Sequence, residues 1–284
     1  MEKVKPNDPQ TELYDPKLRV DNMKDINEFK PNSVPLGFFM LVVAPRRNGK
    51  SEKVSSLLEA FHKDPKTKFT HIFLFSQTNA GFEGQIPQTY RFRDLEHLPY
   101  IVNKQAEVKQ YNLKQKDPKK RIKSRILIVL DDVIGEEKGA NSLRNNGMIR
   151  KLAVNGRHLQ DNVEGNGINV MLVVQAVKSI PKTIRLQTDI IAVGRISNRI
   201  ERQTIIEEFT TLKSTREGLK EAYDLFDSIT LSRPFRFMIV SNHRPNKKDS
   251  SDFVEYYDGD YPVKQHKLFG DVYDWEQEAP PMVF

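Results

Sequence analysis

From Gly37 onwards the chain alternates short, uninterrupted apolar runs with stretches whose apolar positions recur every three or four residues. The runs are Phe38 to Val43, His71 to Phe75, Arg125 to Val133, Asn169 to Val174, Asp189 to Val193 and Phe235 to Val240. Each has strand length, and unbroken apolar character is the mark of a strand buried on both faces. Helical spacing appears at Val54, Leu57, Leu58 and Phe61, then at Ile149 to Val154. It returns at Ile205, Ile206, Phe209 and Leu212, and at Leu219, Tyr223 and Phe226. Strands separated by helix-length segments predict an α/β fold, a mainly parallel central sheet covered by helices on both faces.

The two ends lack such patterning. Residues 1–36 carry Pro6, Pro9, Pro16, Pro31 and Pro35 among charges, which predicts an extended arm. Beyond Pro245 the chain is rich in Asp, Tyr and Pro without a period, so 245–284 is expected as a tail and 37–244 as the catalytic domain. Tyr256, Tyr257 and Trp275 are expected to pack rather than to stack on bases. No apolar run approaches the roughly 20 residues that span a bilayer. The charged start, Met1 to Asn22, does not resemble an apolar signal segment, and the absence of cysteine agrees with a reducing compartment.

Charge narrows the partner. The chain has 45 Lys and Arg against 38 Asp and Glu, a net charge of +7 that favours an anionic ligand. The excess concentrates in Lys104 to Arg125, where Lys109, Lys114, Lys116, Lys119, Lys120, Arg121, Lys123 and Arg125 face only Glu107 and Asp117. The Lys116 to Arg125 part is expected as a loop able to touch nucleic-acid phosphates. The six histidines are dispersed, with no paired metal-ligand spacing.

Chemistry enters between the first strand and the first helix. Ala44-Pro-Arg-Arg-Asn-Gly-Lys-Ser51 has the spacing of a phosphate-binding P-loop, with Ala44 in place of the first glycine. In such a turn the backbone N–H groups of Ala44, Pro45, Arg46, Arg47, Asn48, Gly49, Lys50 and Ser51, proline excepted, surround the phosphates of ATP. Lys50 meets the outer phosphate charge and Ser51 ligates Mg²⁺. The bulky pair Arg46 and Arg47 departs from the usual small-residue loop.

A second motif fits the first. Arg125-Ile-Leu-Ile-Val-Leu-Asp-Asp132 is a core strand ending in paired carboxylates, placed where ligands of open α/β sheets bind. Asp131 is the expected Mg²⁺ partner, and Asp132 the residue that positions or deprotonates water. Gln175 ends the Val170 to Val174 run and is suited to sense the γ-phosphate or the attacking water.

The ordered set Gly49-Lys50-Ser51, Leu130-Asp131-Asp132, Gly156-Arg157-His158, Gln175, and Ile180-Pro181 through Ile184-Arg185 resembles the genome-packaging ATPases of large DNA viruses. These form the poxvirus-type branch of the FtsK/HerA superfamily, and the resemblance runs from about Gly37 to Arg195. It implies a RecA-like P-loop NTPase fold and a ring of identical subunits. It further implies ATP-driven movement of double-stranded DNA into a preformed capsid, with a capsid or portal-vertex partner, at the virion or a cytoplasmic assembly site. Lys50, Asp132, Gln175 and Arg157 become the expected catalytic set, with Arg157 or Arg185 as an arginine finger reaching across a subunit boundary. A helicase, a DNA pump outside virions or an ATP-dependent assembly scaffold uses the same motifs. Strand preference and DNA-stimulated turnover separate these readings.

Overall fold

The computed structural model describes residues 26–78, 82, 84–133, 147–159, 167–210, 215–244 and 249–259. In chain order its strands are β1 (Phe39–Val43), β2 (His71–Ser76), β3 (Arg91–Phe92), β4 (Arg125–Asp131), β5 (Gly167–Val174), β6 (Ile190–Val193), β7 (Phe237–Ser241) and β8 (Val254–Tyr257). They form one sheet in the order β3-β2-β4-β5-β1-β6-β7-β8. Pairing is parallel from β3 to β6, and β7 then runs antiparallel to both β6 and β8. Every residue of β1, β2, β5, β6 and β7 is buried, which is why their sequences show no alternation.

The helices are α1 (Lys50–Lys63), α2 (Leu98–Lys114), α3 (Gly147–Asn155), α4 (Lys182–Arg185), α5 (Arg199–Ile205) and α6 (Arg216–Leu231). The connection through α1 runs from β1 towards β2, whereas those through α2 and α3 run the opposite way across the sheet. Right-handed crossovers therefore put α1 on one face and α2 and α3 on the other. This is the α/β architecture expected from the sequence. On the α1 face, Val54, Leu57, Leu58 and Phe61 are fully buried. Phe61 stacks on Phe38 with ring centroids 5.5 Å apart and meets Phe69 edge-on at 5.4 Å.

The basic stretch ahead of the expected Lys116 to Arg125 loop is helical as far as Lys114, because Leu98, Ile101, Val102, Gln105 and Val108 supply a buried stripe. Within it Lys104 is buried, its ammonium 3.3 Å from the Tyr100 hydroxyl. Phe235 stands outside β7 in a left-handed turn with φ 58°. The expected arm and tail also reach the sheet. Val254–Tyr257 pairs with β7, and the Phe29 amide donates to the Tyr256 carbonyl at 2.8 Å while the Tyr256 amide donates to Asn27 at 3.1 Å. Phe29 is buried with its ring edge-on to Tyr257, so residues 27–29 finish the edge that β8 begins. The expected helical position Leu212, the expected packing residue Trp275 and the far ends of both terminal segments lie outside the described residues.

Candidate nucleotide-binding site

β1 leaves the sheet at Val43, and the Ala44 amide still donates to the Val174 carbonyl at 3.2 Å. The chain must then reverse into α1 within six residues. It does so with Arg47 at φ 62° and Gly49 at φ 71°, both left-handed. A non-glycine residue in that region is uncommon and marks a loop held by its surroundings. Gly49 is obligatory for a second reason: a Cβ there would stand 2.7 Å from Cδ1 of Phe235. Gly49 is also the N-cap of α1 and makes no side-chain cap, so the first turn keeps its N–H groups for other acceptors.

Register brings the other two strand ends to the same level. Val43 pairs with Val174, and Asp131 pairs with Val173. The acid strand β4 is thus separated from β1 by β5, and all three carboxyl ends open on one crevice. Adjacent β1 and β5 send their connections to opposite faces, which is where α/β sheets bind ligands. Asp132 turns out of β4 at φ 49°. Its Oδ1 accepts from Lys50 Nζ at 2.8 Å and its Oδ2 from Gln175 Nε2 at 3.0 Å. Gln175 Oε1 in turn accepts from Arg46 Nε at 3.2 Å. Four residues from three widely separated motifs therefore form one hydrogen-bonded chain, in which the cations of the loop are matched by the acid and amide facing them.

Asp131 stands apart from that chain. It is 6% exposed, and its Oδ1 is buried without a hydrogen-bond partner. Burial pushes its carboxyl up to about 6, opposed by the positive charge of Lys50 and reinforced by the negative charge of Asp132. A carboxylate oxygen desolvated and left unsatisfied suits a hard cation that takes oxygen ligands, the chemistry of Mg²⁺. Ser51, the hydroxyl of the loop motif, is exposed in the first turn of α1.

No protein-family model matches the chain, and no curated protein matches it. Solved structures do resemble it. The DNA-packaging ATPase of Sulfolobus turreted icosahedral virus aligns with 80% of this chain and 100% of its own, at 13% identity and a TM-score of 0.46. The pCW3 conjugation coupling protein, solved with ATPγS, aligns over 83% of this chain and 62% of its own, at 16% identity and TM-score 0.47. The cytoplasmic domain of the type VII secretion ATPase of Thermomonospora curvata covers 86% of this chain and 30% of its own, at 14% identity and TM-score 0.46.

The two arginines expected as fingers lie elsewhere. Arg157 follows α3 in the short turn Gly156–Leu159 and lines a cleft with Gly37, Phe39, Asp189 and Asn242, at the end where β1 and β6 begin. Five residues of β1, about 16 Å, separate that end from the loop. Arg157 is therefore not part of its own chain's catalytic set, because α3 carries the chain back to the start of β5. Arg185 is committed to structure. Its Nε and Nη2 donate to both carboxylate oxygens of Glu208 at 2.8 and 2.7 Å, and Nη1 donates to the Ile180 carbonyl at 2.6 Å.

The sequence reading missed a cluster on the other flank of the loop. Lys53, one turn into α1, is buried against the rings of Phe237 and Tyr257, with its ammonium donating to the Asp258 carbonyl. Burial pulls its amine down to about 8. The Asp258 carboxylate clamps Arg236 through bonds of 2.6 and 2.7 Å and also holds Arg233 at 2.8 Å. These arginines bracket Phe235, and no local pattern in the sequence signals the meeting of Phe235 with Gly49.

Proposed function

We propose that this chain is a magnesium-dependent ATPase that drives double-stranded DNA, and that its task is packaging a viral genome into a preformed capsid. The observation carrying the ATPase reading is the meeting of Lys50, Asp132 and Gln175 beside a buried, unsatisfied Asp131. Such a constellation at the ends of β1, β4 and β5 serves phosphoryl transfer to water. The α1 N-terminus and the loop amides receive the phosphates. Lys50 exchanges Asp132 for the outer phosphate oxygens when a triphosphate arrives. Asp132, released from Lys50 and still held by Gln175, then orients the attacking water and accepts its proton. Asp131 and Ser51 would hold Mg²⁺, which would neutralise the negative charge that develops on the phosphates.

A ring of identical subunits brings a neighbour's arginine to this site. Since Arg185 is engaged with Glu208, Arg157 is the better candidate. A finger of this kind contributes about 10³-fold or more in rate, roughly 4 kcal/mol. Exposed Lys114, Lys116, Lys119, Lys120 and Lys123 form a cationic surface at the end of α2, suited to phosphates rather than base edges. The packaging task and the capsid or portal-vertex partner rest on the ordered motif set of the poxvirus-type ATPases.

The test is ATP hydrolysis with and without duplex DNA for the parent chain, Lys50→Ala and Asp132→Asn. We expect DNA stimulation in the parent, loss of turnover in both variants, and retained nucleotide binding in Asp132→Asn. Full turnover in Lys50→Ala would overturn the assignment. Stimulation by single-stranded DNA with strand separation would point to a helicase instead.

A further inference from the structure

We propose that the ring of Phe235 is the platform on which the base of the bound nucleotide lies, and that the site accordingly takes purine nucleoside triphosphates as a class rather than ATP alone. This rests on the nucleotide reading above.

The crevice has a direction. Asp132 and Gln175, the groups suited to the outer phosphate and its water, stand on the β4 and β5 side of the loop. A triphosphate whose outer end faces them must lead its sugar and base the other way, over β6 and β7. Because β7 is antiparallel to β6, its beginning lies at the end of the sheet where β1 finishes. The turn before β7 therefore stands beside the P-loop, and its Phe235 ring touches Gly49 so closely that no Cβ fits between them.

That turn is built to stay in place. Phe235 is half-buried and holds φ 58°, a conformation that an aromatic residue rarely adopts and keeps only where its surroundings impose it. The imposing contacts are the two-pronged Arg236–Asp258 pair and Arg233–Asp258, while the Asp258 carbonyl receives Lys53 from α1. Arg236 is itself braced over the Tyr256 ring, 4.4 Å from its centroid. The platform is thus fixed to the same helix whose N-terminus faces the phosphates.

An aromatic face recognises the area of a base and not its donors and acceptors. Stacking on Phe235 favours the larger bicyclic bases, so ATP and GTP should bind alike and both tighter than CTP.

The experiment measures dissociation constants of ATP, GTP, CTP and inorganic tripolyphosphate for the full-length chain, Phe235→Leu, Phe235→Gly and Phe235→Trp, with thermal unfolding run alongside. Phe235→Leu and Phe235→Gly should weaken ATP and GTP by about tenfold or more and leave tripolyphosphate unchanged. Glycine relieves the backbone, so this variant separates loss of the ring from loss of the fold. Phe235→Trp should keep tight purine binding, with indole emission quenched by the base. Unchanged ATP affinity in both truncations, or equal weakening of ATP and tripolyphosphate, would overturn the platform while leaving the phosphate site standing. A parent chain that binds neither ATP nor tripolyphosphate would overturn both readings.

Discussion

Replacing Asp131 by Asn should make the protein more stable and, at the same time, inactive. The side chain keeps its shape and loses a charge that the fold holds at a cost. Raising a carboxyl from 3.8 to about 6 corresponds to about 3 kcal/mol, at about 1.36 kcal/mol per tenfold change in proton affinity. The sign follows from linkage: the folded state binds this proton more tightly than the unfolded chain does. The penalty is therefore absent below pH 3.8, grows as pH rises through 6, and is fully in force at pH 7.5. In urea denaturation at pH 7.5 without nucleotide, Asp131→Asn should gain up to about 3 kcal/mol, a rise in Tm of roughly 6–12 °C for a chain of this size. Adding Mg²⁺ and a non-hydrolysable ATP analogue should narrow or reverse the difference, since the parent alone gains its cation ligand. A variant no more stable than the parent under ligand-free conditions would refute the claim that Asp131 is a strained, unsatisfied carboxylate.

Two other substitutions probe the frame around the site. His71 is buried between Phe73 and Tyr90, and burial lowers its imidazole to about 3. The unfolded chain takes up this proton below pH 6.5 and the folded chain does not, so folding weakens on acidification. Moving from pH 7 to pH 5 should therefore cost the parent about 2 kcal/mol more than His71→Phe in urea titrations, and parallel pH profiles would exclude His71 as the cause. Arg185→Ala should lose roughly 3 kcal/mol, because it strands Glu208 with its carboxylate largely buried. Unchanged stability with lost turnover would return Arg185 to the role of a finger.

What the sequence made legible, and what it did not, follows one physical line. Apolar runs such as Phe39–Val43 and Ile126–Leu130 announced themselves because a strand in the middle of a parallel sheet is buried on both faces. Asp131, Asp132 and Gln175 were legible for a related reason: polar residues directly after such runs must emerge at a strand's carboxyl end, and parallel pairing then brings those ends together. Strand direction decides the rest. A helix between parallel strands returns the chain to the amino-terminal end of the sheet, so Arg157, at the close of α3, finishes far from its own Lys50, a position that leaves it only the expected role across a subunit boundary. Phe235 is the reverse case. It precedes a strand, which in a wholly parallel sheet would put it at the far end, yet β7 is antiparallel and delivers it to the Ala44 to Ser51 loop. Hydrophobic patterning is blind to strand direction, since Phe-Met-Ile-Val buries equally well either way. The flank of the candidate site on β4 and β5 could be placed residue by residue, whereas the flank on β7 and β8 became visible only with the pairing of the strands.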